Sequence, residues 1–284
     1  MSDKILALID GSAYSESVCH HAAWIAQRTD AAIELYHVLG RREAQSAGDL
    51  SGAIKLGARS RLLEQLSTLD EQRAKLAQAQ GRAILEDAKA LIEAQGISEV
   101  ATRLRHGDIV ETIAEKEAEA QMIVIGKRGE AADFAKLHLG SNLERIIRAC
   151  HKPVFVASRA FRPVHRVLIA FDGGVSAMQA VDYVARDPLF SDCDVVVLTV
   201  GTPSDTLRRG LEDARATLAA GDHDAQARIV EGQPETVLGE FVKTENMDML
   251  VMGAYGHSRI RSLVIGSTTS EMIRTCLVPV LLMR

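Results

Sequence analysis

Short apolar runs alternate with amphipathic stretches along the whole chain. Residues 5–9 and 167–171 are continuous apolar runs, as is typical of strands that are buried on both faces. Between the runs, apolar residues recur at helical spacing, for example in residues 15–27. The alternation predicts an α/β protein in which helical crossovers join parallel strands. The predicted strands are 5–9, 32–38, 100–104, 122–125, 153–157, 167–171, 195–200, 227–230, 249–252 and 280–283.

The order of elements occurs twice, and sequence identity marks the repeat. KILALIDG at 4–11 resembles RVLIAFDG at 166–173, and MIVIGKRG at 122–129 resembles MLVMGAYG at 249–256. The closing stretches, 140–158 and 266–284, share seven of 19 aligned positions. Because the three matches come in the same order, the sequence predicts one duplicated domain. The predicted domains are 1–158 and 165–284, joined by the linker RAFRPVH.

The two halves differ between their second and third strands. Half one carries residues 40–96 there, whereas half two carries only 201–224. The polar, glycine-rich start of the longer insertion, residues 40–60, predicts a loop. Its remainder predicts a long helix with Gly81 as a candidate break, because leucines recur at 62, 66, 69 and 76. We expect this apolar stripe to pack on its own sheet; a surface for a partner is the alternative.

Composition excludes several classes of protein. Hydrophobic residues make up 47% and charged residues 25%, which is typical of a globular protein. A net charge of -5 and 4% aromatic residues disfavour nucleic acid as the partner. The apolar run at 5–9 is too short for a signal peptide or a membrane span, so we expect a cytoplasmic protein without a membrane partner. No metal-ligand spacing occurs, and the four cysteines are expected to be small buried residues.

Candidate binding chemistry follows the strands of half two. Asp172 and Gly173 come directly after one strand, and Gly253 and Gly256 follow another. A helix then opens at Gly266 with the hydroxyl residues Ser267 and Thr268. Glycines let a backbone approach a phosphate closely, and a helix N-terminus offers N–H groups and a positive dipole end. The set predicts a nucleotide cradle, although neither a P-loop nor a GxGxxG fingerprint is present.

The spacing of these glycines carries a family resemblance. Starting at Gly253, half two has a glycine, two residues, a second glycine, nine residues and then a Gly-Ser pair. This spacing resembles the nucleotide-binding pattern of universal stress proteins. The family implies two Rossmann-like five-stranded sheets of strand order 3-2-1-4-5 that pair through strand five as an internal pseudo-dimer. It also implies ATP or AMP as ligand; the Ser267 and Thr268 hydroxyls could hold Mg²⁺ beside it. The candidate site residues of half two are Asp172, Gly173, Val200, Gly253, Gly256, His257, Arg259, Gly266, Ser267 and Thr268; His257 and Arg259 are included because they lie in the loop that could contact phosphate.

Half one departs from this pattern. Ten residues instead of nine precede its Gly-Ser pair, and Glu130 and Asp133 would repel a triphosphate. A one-residue insertion at a loop tip can be absorbed, so we expect a weaker second site here. Its residues are Asp10, Val38, Gly126, Gly129, Gly140, Ser141 and Asn142.

The resemblance implies a stress-response protein that binds an adenine nucleotide and acts through contacts with an unknown protein partner. No catalytic residue is assigned, because the sequence has neither a Walker lysine nor an identifiable base. A slow ATPase and a nucleotide-free interaction scaffold are the alternatives. A homodimer of the tandem chain is compatible with each of these hypotheses.

Overall fold

The computed structural model describes residues 4–40, 56–127, 141–254 and 265–284. Its strands form one continuous sheet, with helices on both faces. The strands are β1 (Lys4–Leu8), β2 (Ala32–Leu39), β3 (Val100–His106), β4 (Ala120–Gly126), β5 (Val154–Ala157), β6 (Arg166–Ala170), β7 (Asp194–Val200), β8 (Gln226–Val230), β9 (Met249–Gly253) and β10 (Val280–Met283). The helices are α1 (Ser15–Thr29), α2 (Leu56–Glu93), α3 (Ile109–Lys116), α4 (Ser141–Ala149), α5 (Val175–Arg186), α6 (Asp205–Ala220), α7 (Pro234–Thr244) and α8 (Ser267–Thr275).

The sheet confirms the predicted fold class. Its strand order is β3-β2-β1-β4-β5-β10-β9-β6-β7-β8, so each half has the order 3-2-1-4-5. The pairings within each half are parallel. The central strands are apolar throughout because helices cover both of their faces: α1, α2, α5 and α6 pack on one face, and α3, α4, α7 and α8 pack on the other.

The two halves meet as an internal pseudo-dimer, as expected. β5 and β10 pair antiparallel, with Phe155 opposite Leu281 at the centre of the seam. Both side chains are fully buried. Cations also cross the seam: Lys127 Nζ donates to the carbonyl of Cys276, and Arg284 donates to Cys150 O at 3.1 Å. One continuous sheet and one shared core therefore join the halves.

The long insertion of half one corrects two expectations. α2 begins at Leu56, inside the segment predicted as a loop, of which 41–55 lie outside the described residues. Gly81 does not break the helix. A Cβ there would lie 2.8 Å from Leu104 Cδ1, so the glycine lets α2 approach the sheet closely.

Only the second part of α2 packs as predicted. Leu85, Ala88 and Ile92 are buried against the sheet. Residues 64–80, by contrast, are mainly solvent-exposed, and Leu76 retains 69% of its accessible surface. The expectation that the whole stripe packs on its own sheet is therefore wrong for this first part, because the helix extends past the end of the surface it covers.

The remaining elements follow the predicted ones within a few residues, with one addition. Asp108 caps α3, because its Oδ1 accepts from Val110 N at 2.8 Å. The short insertion of half two forms α6, a helix absent from the prediction, which Ser204 caps by accepting from Leu207 N at 3.2 Å. Among the described helices, none has the length and apolar character required to cross a membrane.

Candidate nucleotide-binding site

The carboxyl ends of β6, β7 and β9 meet at one edge of the half-two sheet. β6 lies between β7 and β9, so the direction of strand order reverses there. In open α/β sheets, ligands bind at such a reversal, outside the carboxyl ends of the strands. The β6–β7 register pairs Ala170 with Leu198, so Asp172, just after β6, and Val200, the last residue of β7, lie at the same end of the sheet. The sheet thus brings together two residues that are 28 positions apart in sequence.

The loop after β6 presents an exposed carboxylate. Asp172 Oδ1 accepts from Gly174 N at 2.8 Å, which closes a tight turn around Gly173. Gly173 has a φ of +78°, a conformation that L side chains rarely adopt. A Cβ built on Gly173 would have no atom within 4 Å. The backbone at this point therefore faces open space, and a ligand could approach it.

Gly253, at the end of β9, is held against the first turn of α5. A Cβ at Gly253 would lie 3.0 Å from Ser176 Cβ and closer still to the Ser176 hydroxyl oxygen. Only a glycine allows β9 and α5 to approach so closely. The glycine of the predicted binding pattern thus has a packing role as well, which sequence alone did not indicate.

The N-terminus of α8 lies beside the end of β9. Thr269 Oγ1 donates to Gly253 O at 3.1 Å, and Gly266 N donates to Ala254 O at 3.2 Å. Gly266 is the N-cap residue and supplies no side-chain bond to the first turn. The N–H groups of Ser267 and Thr268 are therefore left without a side-chain cap, and they carry the positive end of the helix dipole. This arrangement suits an anion.

The structure brings most of the predicted half-two residues to this edge. Strand ends supply Asp172, Gly173, Val200 and Gly253, and the start of α8 supplies Gly266, Ser267 and Thr268. Gly256, His257 and Arg259 lie outside the described residues.

The corresponding edge of half one is more closed. Asp10 Oδ1 accepts from Ser12 N at 3.0 Å and from Ser15 Oγ at 3.3 Å. The next residue, Gly11, is exposed but lies close to Ile84 of α2, since a Cβ on Gly11 would lie 2.7 Å from Ile84 Cδ1. The contrast with Gly173 is clear, since Gly11 has the same φ of +78°.

The other predicted residues of half one end two strands and begin a helix. Val38 and Gly126 lie at the carboxyl ends of β2 and β4, and Ser141 and Asn142 begin α4. Gly129 and Gly140 lie outside the described residues. Sequence reasoning did not identify Ile84 of α2 and Ser176 of α5, which lie close to Gly11 and Gly253. Ile84 lies further along the helix whose leucine spacing was noted from the sequence, but that spacing did not show which loop the helix would approach.

Comparison with known proteins agrees with the fold and the repeat. The family model described as the universal stress protein family matches residues 1–158 and again 163–284. A universal stress protein of Synechocystis sp. is 34% identical over 285 residues, covering 99% of each chain. One from Mycolicibacterium smegmatis is 26% identical over 99% of this chain and 96% of its own. The crystal structure of an Archaeoglobus fulgidus universal stress protein superposes with a TM-score of 0.75 at 21% identity, covering 100% of this chain and 99% of that one. The chain therefore belongs to the universal stress protein family.

Proposed function

We propose that half two binds an adenine nucleotide, ATP or AMP, at the edge described above. The observation that carries this proposal is the α8 N-terminus, whose first turn has no side-chain cap and lies hydrogen-bonded to the end of β9. Its N–H groups would bind phosphates, while Asp172 and Val200 would face the adenosine. The choice of adenine follows from the glycine spacing shared with the family. Where Mg²⁺ accompanies ATP, the Ser267 and Thr268 hydroxyls are the groups placed to contact it.

The same observations favour half two over half one. In half two the loop after the first strand is exposed and Gly173 faces open space. In half one, Ile84 lies close to Gly11, and Ser15 engages the Asp10 carboxylate. A ligand in half one would have to displace the partly buried Ile84 side chain and the Ser15 hydroxyl. We therefore propose half two as the main site and half one as the weaker one.

The nucleotide acts in this proposal as a ligand that changes contacts with a protein partner during a stress response in the cytoplasm. In this proposal the two domains comprise residues 1–158 and residues 165–284. We expect no efficient turnover, since Asp172, the carboxylate that the pattern supplies, already accepts the Gly174 N–H and lies at the adenosine end. Phosphate release from saturating ATP should be far slower than the roughly 10 per second of a median enzyme.

Paired charge substitutions test where the nucleotide binds. Thr268→Glu puts a negative charge into the first turn of α8, and Asn142→Glu puts the same charge at the equivalent position of α4. A glutamate near a helix N-terminus stabilises the helix, so neither variant should lose its fold. By isothermal titration, Thr268→Glu should weaken ATP binding at least about tenfold, and Asn142→Glu should leave it within about twofold.

The outcomes separate the proposal from its alternatives. Equal losses in both variants would place comparable sites in both halves. Unchanged affinity in Thr268→Glu would remove α8 from the site. No binding of ATP or AMP by the wild type would favour the nucleotide-free scaffold. A steady-state rate of phosphate release near that of a median enzyme would identify a catalyst instead of a binder.

A further inference from the structure

A cleft of about 720 Å³ lies beside the seam between the halves, on the face that carries α5 and α6. It is separate from α8, which packs on the opposite face of the sheet. Its walls come from one side of α5, from the end of β10, from α6 and from the turn at Gly173 and Gly174. Side chains that line it include Met178, Gln179, Asp182, Tyr183, Met283 and Arg284.

The internal repeat identifies the counterpart of this cleft in half one. Aligning Gly11 with Gly173 runs through α1 and α5 without a gap. It pairs buried Val18 with buried Ala180, which supports the register. In this register His20 and His21 occupy the positions of Asp182 and Tyr183. The counterpart is therefore the groove between α1 and the end of β5.

In half one, the linker between the halves fills that groove with an aromatic side chain. The Phe161 ring stacks on His20 with 5.8 Å between centroids, and it meets His21 edge-on at 5.0 Å. The segment is anchored on both sides of Phe161: Ser158 Oγ donates to Ala160 O at 2.8 Å, and Val164 is buried. An extended segment with one phenylalanine is thus the occupant that this kind of groove accepts.

The half-two counterpart keeps an aromatic ring at the His21 position, although Asp182 replaces His20, and no linker segment covers it among the described residues. Tyr183 provides a ring whose centroid lies 6.1 Å from that of Phe190. Met178 and Met283 provide thioethers, which make favourable contacts with aromatic rings. At the mouth of the cleft, Val175 retains 80% of its accessible surface. The walls are therefore suited to an aromatic side chain from elsewhere.

We propose that this cleft docks an extended segment of a protein partner through one aromatic side chain, as the linker docks Phe161 in half one. The aromatic ring lies between Tyr183 and Met283. The backbone of the segment follows the path that residues 158–165 take over α1. The proposal concerns a protein ligand. One end of the cleft reaches Gly173, which also belongs to the proposed nucleotide site, so competition by ATP is part of the test.

A peptide copied from the linker tests the proposal. The probe is the fluorescein-labelled peptide ASRAFRPVH, which is residues 157–165, titrated with the full chain and followed by fluorescence anisotropy. We expect saturable binding with a dissociation constant on the order of 100 µM, as for a short flexible ligand. The peptide with alanine in place of phenylalanine should bind at least about tenfold more weakly. No saturation, or equal binding of both peptides, would overturn the proposal.

A matched pair of tryptophan variants tests the location. Gln179→Trp fills the cleft from an exposed position, and Gln72→Trp makes the same change on the exposed part of α2. The first should weaken the peptide at least about tenfold and the second should leave it unchanged, with circular dichroism showing that both are folded. Equal affinities would move the docking site elsewhere and overturn the assignment.

A cross-linking peptide and competition by ATP complete the test. With benzoylphenylalanine in place of the phenylalanine, irradiation should label Met178 or Met283, which mass spectrometry identifies. Labels confined to other faces of the protein would contradict the proposal. Displacement of the peptide by ATP in a one-to-one ratio would show that the cleft belongs to the nucleotide site and not to a separate docking surface.

Discussion

At the scale of single residues, burial sets the chemistry of side chains that would otherwise titrate. The four cysteines are buried, as predicted, and burial raises the pKa of Cys19 and Cys150 to about 12. His21 is also fully buried: its Nδ1 lies 2.7 Å from Ser17 O, and its Nε2 has no hydrogen-bond partner. Burial lowers the pKa of His21 from 6.5 to about 4. This histidine is therefore neutral in the folded protein at neutral pH.

The His21 pKa predicts a pH-dependent term in stability. In the unfolded chain His21 binds a proton below about pH 6.5, whereas in the folded chain it does so only near pH 4. The stability that depends on a neutral His21 is therefore complete above pH 6.5 and is lost as the pH falls toward about 4. Between pH 7.5 and pH 5 this term should cost the wild type about 2 kcal/mol of unfolding free energy. His21→Phe should remove it, which urea unfolding at the two pH values would measure. An equal loss in variant and wild type would show that His21 does not titrate as stated.

At the scale of elements, glycines determine how closely helices approach the sheet. Gly253 lets the end of β9 contact the first turn of α5, and Gly81 lets α2 pack on β2 and β3. Neither role depends on a positive φ, since only the missing side chain matters. The sequence places both glycines inside regular elements, where a glycine otherwise weakens the element.

Substitutions at two glycines test this role in packing. Gly253→Ala should destabilise the protein by about 1–3 kcal/mol, because its Cβ would meet Ser176. Gly239→Ala is the matched control: it lies in α7 with nothing within 4 Å of its Cβ, and it should stabilise by about 0.5–1 kcal/mol. Adding Ser176→Gly should recover much of the loss in Gly253→Ala. If urea unfolding shows no recovery, the clash is not the cause.

At the scale of the whole molecule, one sheet of ten strands crosses the seam, and its central pair buries Phe155 and Leu281. α1 of half one also contacts half two, since Arg28 Nε donates to Leu189 O at 2.9 Å. Separating the halves would expose this apolar surface and leave two sheet edges without partners. We therefore expect the halves to unfold together.

Two probes test this cooperativity. Trp24 is the single tryptophan of the chain and reports on half one, whereas far-UV circular dichroism reports on both halves. In urea, the fluorescence and dichroism transitions should have the same midpoint. Lys127→Ala, which removes a buried contact across the seam, should lower both midpoints together. A tryptophan transition separate from the dichroism transition would show two independent folding units.

Periodicity and repetition were enough to predict the parallel sheets, their order through the family resemblance, and the pairing of β5 with β10. The elements and their repeat depend on apolar period and on identities that recur in register, which are local properties of the sequence, whereas the strand order and the pairing came from the family resemblance. The glycine spacing likewise predicted which strand ends would form the candidate site. It could not show that Ile84 lies close to Gly11 while the space beside Gly173 is open, because α2 and the β1 loop are distant in sequence.

What only the tertiary structure decided is which surfaces are covered. The linker places Phe161 on α1, the first part of α2 extends beyond the sheet, and the cleft beside α5 stays without a described cover. The apolar pattern of a helix shows that one face will be buried, but not which element will bury it, since that depends on the paths of segments far away in the chain. The sequence by itself therefore determined the elements and their repeat, and the packing of distant segments decided which of the duplicated grooves is filled.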